Sequence, residues 1–149
     1  MGWTQVLTLP AILAVGVVYG TDMFFAVVAR PALAHVSEAS LTEVMGRLHE
    51  VADGRMPLFG ILGMLCTLGL IAVAPGPYAV IAFGAELIHL GIYFRVSKPV
   101  NTTLTAAVNR GESLPDALQL QRRWDSVIVP RALLLGIALL CLALIGIHA

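Results

Sequence analysis

Residues 78–95 read YAVIAFGAELIHLGIYFR, an apolar run with Glu86 and His89 inside it. At 1.5 Å per helical residue the run reaches about 27 Å, close to the hydrocarbon thickness of a bilayer. A segment in lipid must satisfy its own backbone hydrogen bonds, which makes a run of this length a helix. Glu86 lies eight residues in from Tyr78, and His89 lies six before Arg95. Both are too deep to reach an interface easily. Their i, i+3 spacing puts them on one helical face. That face needs protein or trapped water against it, so the chain has to build a bundle.

Three more runs meet the same length criterion: 4–29, 56–74 and 128–147. With 58% hydrophobic and 12% charged residues and a mean hydropathy of +0.89, the composition is that of an integral membrane protein. A length of 149 residues fits a single domain, 1–149. The N-terminal run lacks a basic region and a small-residue cleavage pattern, so it reads as a span and not a signal peptide. Between the first two spans, residues 32–55 predict an amphipathic helix on the membrane surface. Ser40 is its cap and Glu43 its capping-box partner, with Leu41, Val44, Met45, Leu48, Val51 and Ala52 as its stripe. Pro75-Gly76-Pro77 predicts a tight turn. In the polar stretch 96–125, Pro115-Asp116 opens a short helix through Trp124. The expected fold is an all-α integral membrane four-helix bundle, with an amphipathic helix between spans 1 and 2 and a short helix before span 4. No internal repeat marks a transporter built of inverted halves.

The nine Lys and Arg residues are 30, 47, 55, 95, 98, 110, 122, 123 and 131, all in or beside the first and third loops. The positive-inside rule then puts both long loops in the cytoplasm and both termini outside, in a bacterial plasma membrane. A net charge of zero argues against a nucleic-acid partner. The partners this implies are the bilayer and a hydrophobic small-molecule substrate, and the sequence leaves a homo-oligomer open. Cys66 and Cys141 read as buried free thiols without metal spacing.

With alternating orientation, Asp22 enters the bundle about 12 Å from the Arg30 end of span 1, at a depth near that of His89. Glu86 is one turn deeper, and Arg131 stands just inside span 4 from the same side. Four ionisable groups from three spans therefore meet in the cytoplasmic half, with His49 and Asp53 placed to cap them. One consequence is a metal centre held by Asp22, His49, Asp53, Glu86 and His89. The metal would be a transition metal, iron, manganese, zinc or copper, and this carboxylate–imidazole mix suits iron, manganese or zinc better than copper(I). The metal-free alternative makes a histidine the general base, oriented by a carboxylate, with an arginine stabilising the anion, and its rate falls in acid. A third alternative is a structural network pairing Asp22 with Arg131 and Glu86 with His89 or Arg95. His35 and His148 carry no such weight. Trp3, Tyr78 and Trp124 fall where an aromatic belt belongs, and Gly60, Gly63 and Gly69 permit close helix contact. No Ser or Cys nucleophile has a histidine at a suggestive spacing, so the chain does not read as a hydrolase.

The first span ends FFAVVARPAL, Pro99-Val100-Asn101 follows the third, and Trp124 stands seven residues before Arg131. In this order, over roughly residues 15–140, these motifs resemble the anthrone oxygenase-like family of small four-helix membrane proteins. Two departures stand out. Ser97 stands where the family often has the first Asn of Asn-x-Pro-x-Asn, and Asp125 or Ser126 where it often has another Asn. The resemblance implies a monooxygenase that oxidises anthrone-like aromatics with molecular oxygen, and makes Asn101, Trp124 and Arg131 site residues beside Glu86 and His89. The reading from another class is a non-catalytic membrane subunit or small-ligand-binding protein.

Overall fold

The computed structural model describes residues 2–148. The described residues form helix and no strand, in the order α1 (Trp3–Phe24), a π-helical turn (Phe25–Ala29), α2 (Arg30–Leu33), α3 (Glu38–Val73), α4 (Pro77–Ile92), a second π-helical turn (Tyr93–Ser97), α5 (Lys98–Asn109), α6 (Ala117–Asp125) and α7 (Ile128–His148). They join into four rods, Trp3–Leu33, Glu38–Val73, Pro77–Asn109 and Ala117–His148, each long and apolar enough to cross a membrane. The fold is an all-α, membrane-spanning four-helix bundle.

The rods run 31 to 36 residues, well beyond the ~20 that a bilayer requires. Thr4, Gly76, Tyr78 and His148 line one cleft, so both chain ends and the tight turn share one end of the bundle. The excess length therefore emerges at the other end, which carries the basic residues.

The structure corrects the separate surface helix expected over 32–55. That segment is the first half of α3, continuous with the second span. The cap is Ser37, not Ser40: its Oγ accepts the Ser40 N–H at 3.2 Å. Pro57 lies inside α3 and not in a first turn. It removes the hydrogen bond to the Asp53 carbonyl, a cost of about 3 kcal/mol in a helix interior, and packing on both sides outweighs it. The expected stripe is also split. Leu41 and Met45 are buried, whereas Val44, Leu48 and Val51 are exposed. The buried face is Leu41, Thr42, Met45, Gly46 and His49, because Gly46 admits the α5 backbone. A Cβ there would stand 2.7 Å from the Leu104 carbonyl oxygen.

Each π-helical turn precedes a basic residue and a proline, Arg30-Pro31 and Lys98-Pro99. A proline ring clashes with the carbonyl four residues back. Here the N–H just before each proline bonds five residues back, Arg30 to Phe25 and Lys98 to Tyr93, and this wider turn makes room for the ring.

Two apolar cores result. One lies between the spans and includes Ala11, Val15, Leu70, Ala82, Ala138 and Leu142. The other ties the extensions together through Leu41, Met45, Val100, Leu104, Trp124 and Ile128. Small residues set close contacts in the first: a Cβ on Gly63 would meet Val15 at 2.8 Å, and one on Gly69 would meet Leu7 at 3.1 Å. Gly60, expected to act likewise, has nothing within 4 Å. Cys66 and Cys141 are buried and free, as expected.

Candidate functional site

On every rod at least one polar residue of the site falls between the two cores. Asp22 follows Val15 and precedes Phe25, and His49 and Asp53 lie between Met45 and Cys66. His89, Tyr93 and Ser97 lie between Ala85 and Val100, and Arg131 lies between Ile128 and Leu135. The result is a polar layer between two apolar ones.

Its centre is Arg131, the buried member of the nine basic residues, at 6% exposure. Nη2 donates to Asp22 Oδ1 at 2.8 Å, Nη1 donates to Ser97 Oγ at 2.6 Å, and Nε lies 3.3 Å from His89 Nε2. The guanidinium carbon is 5.8 Å from the Tyr93 ring centroid and 5.6 Å from that of Trp124, within cation–π range of both. His89 Nε2 is also 3.0 Å from Asp22 Oδ2. One nitrogen thus faces a donor and an acceptor. Without a proton it accepts from Arg131; with one it donates to Asp22. The geometry accommodates either tautomer of the His89 ring. The pairing of Asp22 with Arg131 is as expected, and the buried charges compensate each other.

A second group lies toward the basic end. Asp53 accepts from Tyr93 Oη at 2.7 Å, Lys98 Nζ at 2.9 Å and Asn101 Nδ2 at 2.9 Å. Beside it the His49 ring stands 5.7 Å from Trp124, and Phe25 packs edge-on against Trp124 at 5.0 Å. His49 Nε2, Trp124 Nε1 and Asn101 Oδ1 are buried and have no hydrogen-bond partner among the described residues. An indole donor, an imidazole nitrogen and an amide acceptor left open in one layer are costly to bury.

Glu86 stands apart from both. It is buried on the face it shares with His89, as its spacing requires, but its partner is Thr67 Oγ1 at 2.8 Å, not His89 or Arg95. Arg95 is exposed. The five residues expected to share a metal are therefore divided: Asp22 and His89 with Arg131, Asp53 with Lys98 and Tyr93, His49 beside Trp124, and Glu86 with Thr67. No group of three or more His, Cys, Asp or Glu is gathered for a metal among the described residues. Trp124 is 4% exposed, so it is a wall of the site and not part of a lipid-facing belt.

Tyr93, Ser97, Lys98 and Thr67 were missed by sequence reasoning. The signal was a polar series, His89, Tyr93, Ser97, Asn101, spaced by four. In an uninterrupted α-helix the 12 residues from His89 to Asn101 would rotate the last about 120° away from the first. The π-helical turn absorbs one residue and returns Asn101 toward the site face.

No protein-family model matches the chain, and neither a curated protein nor a solved structure matches it.

Proposed function

We propose that the protein is a membrane-embedded oxidoreductase that oxidises a hydrophobic aromatic or quinone-like substrate with molecular oxygen, as its resemblance to the anthrone oxygenase-like family implies. The supporting observation is His89 Nε2 held between the Asp22 carboxylate and the Arg131 guanidinium. A ring methylene beside a carbonyl gives up a proton to unprotonated His89 Nε2, and the N–H so formed turns to Asp22. Arg131, freed from His89, faces the enolate, whose electrons pass to oxygen. In the net reaction CH2 and O2 become C=O and H2O, with one oxygen atom in the product and the other in water. The rings of Trp124 and Tyr93 form walls for a flat substrate. The unpartnered Trp124 indole N–H can donate to a carbonyl oxygen of such a substrate, and Asn101 Oδ1 can accept from a hydroxyl. No step is routed through a metal, because the expected ligands do not converge. We place the basic end in the cytoplasm of a bacterial cell, on the charge distribution of the loops.

The test is oxygen uptake and quinone absorbance by the protein in lipid nanodiscs with an anthrone. Turnover should fall at least ~100-fold in His89→Gln, the lower end of what general-base catalysis contributes. Equal rates in variant and wild type, or no uptake by wild type, would sink the reading. One observation favours a second reading, a non-catalytic membrane subunit: all three guanidinium nitrogens of Arg131 already face protein partners.

A further inference from the structure

Thr67 and Glu86 meet inside the membrane-spanning core, one helical turn beyond the polar layer. Thr67 Oγ1 lies 2.9 Å from the Gly63 carbonyl oxygen and 2.8 Å from Glu86 Oε1. Both neighbours are oxygens, yet a threonine hydroxyl has one proton to give. If that proton goes to Gly63, as for a threonine bonded back along its own helix, the second contact needs a proton from Glu86. A carboxylate there would set two acceptors against each other at hydrogen-bond distance.

The other carboxyl oxygen gives independent support. Glu86 Oε2 is buried without a hydrogen-bond partner among the described residues. An ionised carboxylate seeks donors at both oxygens, and leaving one bare in a low-dielectric core is costly. A neutral acid needs less, since one oxygen donates to Thr67 and the other is an ordinary carbonyl. Glu86 is 4% exposed and enters no ion pair among the described residues, in contrast to Asp22. Several titratable or charged groups lie on the elements around it. Cys66 on α3 is a buried thiol, and Tyr19 and Asp22 stand on α1. Arg131 on α7 and His89 on α4 itself are committed with Asp22 to the network described above. None supplies Glu86 with a counter-charge.

We propose that Glu86 is a proton-binding site within the membrane, present as the neutral carboxylic acid at neutral pH, with Thr67 Oγ1 as the acceptor of its proton. It is therefore not a second carboxylate beside His89 but an acid one turn away on the same face. The inference does not depend on the oxygenase reading, and its test uses no substrate. The infrared difference spectrum of the detergent-purified protein at neutral pH, wild type minus Glu86→Gln, is expected to carry the carbonyl stretch of a protonated carboxyl group. Should Glu86→Gln not fold, Thr67→Val serves instead. Loss of the acceptor hydroxyl frees the acid O–H and should move that stretch to higher frequency, as loss of a hydrogen bond from a carboxylic acid does. A Glu86→Gln difference that carries only carboxylate stretches overturns the proposal. So does a Thr67→Val spectrum unchanged in the protonated-carboxyl region.

Discussion

Arg131 holds together groups from three rods, so its removal separates pairing from packing. Arg131→Met leaves the Asp22 carboxylate buried without its cation, and breaking such a pair costs about 3–5 kcal/mol. The Asp22→Asn, Arg131→Met double variant removes both charges and should lose less than the sum of the two single variants. Unfolding in mixed micelles measures the cycle, and strict additivity would show that the pair carries no coupling. The single residues behind this network were partly legible in the chain. Asp22, His89 and Arg131 announce themselves because a charge inside an apolar run has to be matched. Ser97 and Thr67 do not, because a hydroxyl in such a run usually bonds its own backbone and gives no sign of a tertiary partner.

At the level of elements, the glycines divide by what stands opposite them. Gly46→Ala would drive a Cβ to 2.7 Å from the Leu104 carbonyl oxygen and 2.8 Å from Val108 Cγ1. It should cost about 1–3 kcal/mol, as overpacking does. Gly60→Ala meets open space, and should stabilise α3 by up to about 1 kcal/mol through helix propensity alone. Thermal unfolding in detergent compares the two. Sequence alone reversed these roles, assigning Gly60 to a contact and overlooking Gly46, since a helical glycine carries no mark of its neighbour. The long α3 was likewise hidden. Asp53-Gly54-Arg55-Met56-Pro57 has the composition of a boundary, yet Leu41 and Met45 on one side and Cys66 and Leu70 on the other bury enough surface to carry the helix through it.

The whole molecule has a polarity that a labelling experiment reads directly. Both chain ends and the turn at Pro75 share one end, and the basic extensions form the other. With the basic end in the cytoplasm, Pro75→Cys should react with a membrane-impermeant thiol reagent on intact cells, and Ser113→Cys only after lysis. The native thiols of Cys66 and Cys141 are buried and contribute little background. The reverse pattern would invert the proposed topology.

The sequence by itself determined the solvent, the number of crossings and the depth of the charged groups. Those follow from hydropathy, length and helical rise, which are local properties of the chain. The tertiary structure decided which charged groups meet. Asp22, His89 and Arg131 converge on one point while Glu86, on the same helical face as His89, turns to Thr67. Two π-helical turns and the approach of α5 over Gly46 set the rotation of the first three rods. A rotation of a fraction of a turn is enough to give a buried side chain a different partner.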